Sequence, residues 1–415
     1  MPQDSSQSLN LELVELIFGS ASIRRWNDQI NPMEFTELDK QAHKVIIAWA
    51  LARCEEDQRG PGQVQWRMLV EGALFELLQR IILTDIKPPV FHRMMAENGP
   101  RLNQWVLQEL RPLTSQVRGG FRERMEAYLL EPRYAVREKR ILKAAHYLAT
   151  QWEFNILYQL CPFIRGIEGI KGEIEDQLED HIDLIGVQKI ALKRKTYDFL
   201  DLCAQLRFQK RWSQSPRIPA TSVLGHMLMV AIMTYLALCD TAACDQRIVN
   251  GFQGALFHDL PEALTRDITS PVKNAVEGLA DTIKKFENLQ MEEKVLPLVP
   301  PHWYRDLSYF TENEFENRAM VEGRMVMGLS FEELDRQYND ARFQPLDGEI
   351  VCCADKLAAF IEAVESIRNG VTPRHLQEGV ERLWKEYQGR QVGPVDFGRV
   401  FAGFRDLLPG GGCHG

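Results

Sequence analysis

Residues Gly254–Val272 read GALFHDLPEALTRDITSPV, and residues Gly72–Val90 read GALFELLQRIILTDIKPPV. Aligned without a gap, nine of these nineteen positions are identical, where unrelated sequences would share about one; such a recurrence marks a duplicated structural unit. Shorter pieces agree in the same order on either side. Arg25-Trp26 anticipates Arg211-Trp212, each pair closing an apolar helical stretch (9–18 and 197–208) and opening a loop that contains proline. His43 within AHKVIIAWALA anticipates His226 within GHMLMVAIMTYLAL, and ILKAAHYLA around His146 parallels IVCCADKLA around Asp355. The chain therefore reads as a tandem duplication. Residues 1–190 form one copy, residues 191–408 the other, and the Gly-rich end 409–415 is a flexible tail.

Apolar residues recur at spacings of three and four over 9–18, 42–53, 66–83, 140–159, 188–208, 223–239, 248–263, 349–367 and 377–387, and no stretch keeps the alternation of a half-buried strand. The breakers at 59–62 (RGPG), 98–100 (NGP), 213–219 (SQSPRIP) and 298–301 (LVPP) read as loops. The expected fold class is all-α, two helical bundles in tandem, and 415 residues suit two domains. With 45% apolar and 26% charged residues the chain is neither disordered nor fibrous. Its formal charge of −9 argues against nucleic acid as a partner. Residues 223–239 carry no formal charge but fall short of a bilayer span and include His226 and Thr234, so they read as a buried core helix and no membrane is expected. Eight cysteines without a CxxC pair, and no basic leader, point to reduced thiols in a cytoplasmic protein.

The chemistry is not duplicated. His258 and Asp259 stand opposite Glu76 and Leu77, Glu262 opposite Arg80, and Asp355 opposite His146. The first copy keeps the apolar pattern without the ligand set and reads as a helical domain without a metal. In the second copy His226, His258, Asp259 and Asp355 interrupt apolar helices, and a buried carboxylate is costly unless paired or bound to a cation. Two imidazoles and two carboxylates from three helices can converge on one divalent ion and leave positions for water and a substrate oxygen. Mixed nitrogen and oxygen ligands admit Mn²⁺, Co²⁺, Fe²⁺, Mg²⁺ or Zn²⁺. Glu262 follows His258 by four residues and Asp259 by three, and so shares their helix face.

The order His, His-Asp, Asp, with HDLPEALTRDITSPVK (258–273) and ADKLAAFIEAVES (354–366), resembles the HD-domain metal-dependent phosphohydrolases, within them the bacterial 5′-nucleotidase type, the YfbR-like group. The likeness covers roughly 195–390. It implies His226, His258, Asp259 and Asp355 as metal ligands and Glu262 as the group that orients or deprotonates water or protonates the leaving oxygen. It also implies Arg211 as phosphate clamp, Trp212 against the sugar, Asp267 on a sugar hydroxyl, and Lys273 near the phosphate. Asp267 has a structural reading as well, because Asp85 matches it in the copy that lacks the ligands. The implied reaction is release of phosphate from a nucleoside 5′-monophosphate, a small-molecule substrate. The sequence departs from the family at Gly225 and Met227, which replace a Glu and a small hydroxyl residue and leave His226 without those flanking partners.

Two other readings use the same residues. One is a phosphodiesterase or nucleoside triphosphatase of the same superfamily; the other is a regulatory protein that binds nucleotide without turning it over. In all of them the first half is expected to pack on the second as an intramolecular pseudo-dimer.

Overall fold

The structure, a computed structural model, describes residues 7–84, 86–266 and 276–409. Asp85, Asp267, Lys273 and the tail beyond residue 409 lie outside the described residues. The fold is all-α, as expected. The first half contains α1 (Leu11–Phe18), α2 (Glu37–Arg59), α3 (Trp66–Leu83), α4 (Pro88–Thr114), α5 (Phe121–Leu130), α6 (Val136–Leu160), α7 (Ile167–Glu179) and α8 (Ile185–Ala191). Then come α9 (Lys195–Gln205), α10 (Val223–Cys239), α11 (Asp245–Phe257), α12 (Glu262–Thr265), α13 (Leu279–Gln290), α14 (Tyr304–Thr311), α15 (Phe331–Gln337), α16 (Gly348–Arg368), α17 (Arg374–Tyr387) and α18 (Phe397–Asp406). The strands among the described residues are short antiparallel pairs: β1 (Arg24–Arg25) with β2 (Phe35–Thr36), β3 (Arg318–Val321) with β4 (Arg324–Met327), and β5 (Gln391–Val392) with β6 (Val395–Asp396).

Local chemistry sets the helix ends that matter. Thr36 caps α2 by accepting the Asp39 N–H at 3.2 Å, and Ser222 caps α10 by accepting the Gly225 N–H at 2.9 Å. Every residue of α10 is buried, which explains its lack of charge, and no helix among the described residues is long and apolar enough to cross a membrane. The expected helix over 248–263 stops at Phe257, because Pro261 has no N–H to give the Phe257 carbonyl and its ring crowds that group. The 188–208 stretch is interrupted at Lys193, whose φ is +50°.

One expected loop is absent. Asn98-Gly99-Pro100 lies inside α4, where Pro100 faces solvent and the carbonyl it fails to serve can be hydrated.

The main apolar core runs from Leu9 to Phe404 through both halves, and a smaller cluster of Phe35, Trp152, Leu157, Cys161, Ile164 and Ala204 lies apart from it. Across the middle, α2 packs on α10 and α3 packs on α11. The leading helices cross over: α1 touches α10 and α18, and α9 lies against α2. The α2–α10 approach is close enough that a Cβ on Gly225 would meet Asp39 Oδ1 at 2.8 Å. Ser222 Oγ donates to that same carboxylate oxygen at 2.5 Å. This contact gives a physical reason for glycine at 225.

Candidate metal centre

His226 sits one turn into α10, on the face that meets α16. Its Nε2 lies 2.9 Å from Asp355 Oδ1 on α16 and 3.8 Å from Asp259 Oδ2. His258 terminates α11. Its Nδ1 lies 2.7 Å from the Ala255 carbonyl oxygen; because a carbonyl only accepts, Nδ1 carries a proton and Nε2 turns toward the cluster. That Nε2 stands 3.1 Å from Asp259 Oδ2 and 3.9 Å from Asp355 Oδ1. Ligand atoms of His226, His258 and Asp259 all lie within 4.8 Å of one another. Four residues expected at one centre, on three helical segments, are thus brought together.

The donor set suits a cation. His258 Nε2 and Asp259 Oδ2 are buried and make no hydrogen bond among the described residues. In the neutral imidazole two lone pairs face each other there, which is unfavourable without a proton or metal ion between them. The site also lies at the C-terminal end of α11, where backbone carbonyls favour positive charge. The titration of the cluster points the same way. Burial and Arg211 push the His226 imidazolium down, but Glu362 and Asp355 outweigh them and raise its pKa to about 9. Burial pushes the Asp259 carboxyl up, and the neighbouring His258 overcomes that to hold it well below the usual range. Asp355, likewise buried, is held low by Lys356 and both histidines.

The surrounding groups complete the geometry. Arg211 Nη1 is 4.0 Å from Asp259 Oδ2, its Nη2 3.9 Å from Asp355 Oδ1 and its Nε 3.9 Å from Glu362 Oε2. The loop is fixed from behind by Arg217, which donates to the carbonyls of Arg211 and Thr221. Glu262 opens α12; it is buried, and its N–H donates to the Asp259 carbonyl at 3.0 Å. Trp212 has φ +54°, and its indole fills the space over Gly379, where a Cβ would meet the ring at 2.5 Å. Its N–H donates to Glu362 Oε2 at 3.1 Å.

Two residues were not singled out from the sequence. Glu362 accepts from His226 Nδ1 at 3.2 Å, from Thr221 Oγ1 at 3.0 Å and from Trp212. Burial opposes its charge, yet Arg217 and His226 hold its carboxyl at about 2. It supplies the support for His226 that Gly225 and Met227 do not, and its signal was the seven-residue spacing from Asp355, two turns along one helix face. Lys356 Nζ lies 2.7 Å from Asp355 Oδ2 and over the Phe315 ring; Asp355 raises its pKa.

Residues 203–384 match the family model of the HD domain. They are an HD domain. A 5′-deoxynucleotidase of Photobacterium profundum is 25% identical over 207 residues, covering 49% of this chain and 90% of that protein. One from Vibrio atlanticus is 22% identical over 206 residues, covering 49% and 91%. One from Vibrio parahaemolyticus is 25% identical over 182 residues, covering 42% and 78%. No solved structure matches the chain with significance. The HD domain makes the chain a metal-dependent phosphohydrolase, and its His and Asp cluster is a group able to hold metal.

Proposed function

We propose that the HD domain is a phosphomonoesterase that releases phosphate from nucleoside 5′-monophosphates. One observation carries the reading: buried His258 Nε2 and Asp259 Oδ2 face each other at 3.1 Å without a hydrogen bond, beside His226 and Asp355. The substrate class is supported by the 5′-deoxynucleotidase names of the relatives.

In this reading His226, His258, Asp259 and Asp355 would hold one divalent ion, which when bound would supply a lowered pKa for the attacking water and Lewis-acid stabilisation of the phosphoryl charge. Arg211 receives the substrate phosphate through its planar fork while the nearby carboxylates keep it aimed at the centre. Glu262 takes a proton from the attacking water and returns it to the departing 5′-oxygen. A bond from water oxygen to phosphorus forms, the bond from phosphorus to the 5′-oxygen breaks, and the proton ends on the nucleoside. Asp267 on the sugar and Lys273 near the phosphate complete the proposed set. Trp212 shapes the pocket wall by holding Glu362.

Metal analysis with a panel of nucleoside monophosphates tests this. Phosphate should be released from monophosphates, with diesters left intact. Cleavage of diesters or triphosphates in their place would make the domain a phosphodiesterase or triphosphatase. Nucleotide binding without release under Mn²⁺, Co²⁺, Fe²⁺, Mg²⁺ or Zn²⁺ would make it a regulatory binder.

The first half, 1–190, is proposed as a second copy of the unit in 191–408, paired with it across an approximate two-fold axis. Support comes from the packing of α2 on α10 and α3 on α11, helix on corresponding helix, as in an isologous interface.

A further inference from the structure

The first half lacks the metal-ligand set, yet it gathers buried charge around His146. Arg25, Lys40, Lys44 and Arg80 all act on that imidazole, and together with burial they keep it neutral by pushing its pKa well down. Arg207 joins the group through Glu153 at 2.9 Å. Three carboxylates answer these cations. Glu37 lies 3.1 Å from Arg25 and 3.6 Å from Arg80, Glu76 lies 2.5 Å from Lys44, and Glu153 lies 2.8 Å from Arg25. Five basic side chains are thus set against three acidic ones. The centre in the second half has the opposite balance, with Arg211, Arg217 and Lys356 against Asp259, Asp355, Glu262 and Glu362.

Lys40 is the residue left over. It is fully buried, and its Nζ lies 2.5 Å from His146 Nδ1, a second base. None of the ion pairs among the described residues involves it. Burial, joined by Arg25 and Lys44, outweighs the pull of Glu37 and Glu153 and pushes its pKa well down, so the ammonium form is regained only when a further anion lies beside it. The cluster reaches solvent on the arginine side, where Arg25 is 12% and Arg80 20% exposed. A tetrahedral oxyanion matches this combination, since guanidinium forks and an ammonium point charge can share its oxygens.

We propose that the first half is an anion site in which Lys40, Arg25 and Arg80 bind the phosphate group of orthophosphate or of a small phosphate monoester, without metal and without hydrolysis. The site stands apart from the reaction proposed for the HD domain, since none of its residues belongs to the metal centre.

Titration calorimetry on the full chain tests it, with orthophosphate, a nucleoside 5′-monophosphate and the matching nucleoside as probes, before and after removal of metal by a chelator. One phosphate-binding site should survive chelation. Lys40→Met should weaken it at least about tenfold, while Lys40→Arg should keep it within a few-fold. Monophosphate binding tighter than orthophosphate would identify a nucleotide as the source, and equal binding would identify free phosphate. Arg80→Gln, at the exposed mouth, should weaken the site by a similar factor and carries the test if Lys40→Met fails to fold. The proposal is overturned if the chelated wild-type chain takes up no phosphate at millimolar concentrations, or if folded Lys40→Met or Arg80→Gln binds as tightly as wild type.

Discussion

Trp26 and Trp212 both have positive φ, 58° and 54°, and each donates its indole N–H to a buried glutamate, Glu153 at 3.0 Å and Glu362 at 3.1 Å. Each glutamate follows the residue that faces the cluster, His146 or Asp355, by seven positions. Each arginine before the tryptophan precedes a helix cap, Thr36 or Ser222, by eleven. The difference lies in what the frame encloses. In the first half Lys40 meets His146, whereas in the second His226 meets Asp355. Packing and the Trp–Glu hydrogen bond are therefore compatible with either sign of charge in the centre, and a few ligand positions decide whether a cation is needed.

The sharpest way to break that comparison is to remove a ligand from one side only. His258→Ala should abolish stoichiometric metal and lower phosphate release by about 10³-fold or more, the loss of several kcal/mol of charge stabilisation. Glu76→Ala at the aligned position should leave metal content unchanged, as elemental analysis would show. Next in size, Glu262→Gln should reduce kcat by about 10²- to 10⁴-fold while metal remains bound. An unchanged kcat would remove Glu262 from the proton transfer.

The first half gives a stability effect in place of a catalytic one. Glu153 is buried and holds Arg25 and Arg207 together; Glu153→Ala leaves two guanidiniums without it and should cost about 3–5 kcal/mol in denaturant unfolding. Burial raises the Glu153 pKa, but the two arginines outweigh it and hold the carboxyl below its ordinary value. Its contribution is therefore present above the ordinary carboxylate pKa and fades as pH falls toward the lowered one. Wild type should lose stability across that acid range, and Glu153→Ala should flatten this limb.

The fold was legible because long helices announce themselves by period. The expected spans for α3 and α10 coincide with the observed ones, and α16 differs by a residue at each end. Boundaries were missed where a single residue overrides the pattern, as at Pro261, or where solvent excuses a breaker, as at Pro100. The clustering of His226, His258, Asp259 and Asp355 was legible from polar residues interrupting apolar helices. The sequence comparison sets His43 against His226, one helical turn away from the position that the cap spacing picks out. Counted from the caps, Lys40 and not His43 takes the place of His226; both are four residues beyond Thr36 and Ser222. His43 is buried with its ring edge-on to Trp152. A like-for-like histidine drew the alignment off register, because sequence identity does not record which side of a helix faces the centre.

Glu362 tests how far the shared frame serves the metal. It comes from α16, across the core from the His226 it orients, so only the fold joins them. An acceptor on Nδ1 fixes the tautomer that leaves Nε2 for a metal and makes that nitrogen a better donor. Glu362→Gln keeps the size and an acceptor oxygen but loses the charge, and should weaken metal affinity by about 10- to 100-fold. At saturating metal kcat should return near wild type, which separates Glu362 from Glu262, whose loss no added metal can repair. Glu362→Asp should retain the charge and recover part of the affinity. If metal affinity is unchanged in folded Glu362→Gln, the glutamate only ties Trp212 and Thr221 to the core, as Glu153 ties Trp26, and the two halves use this position in the same structural way.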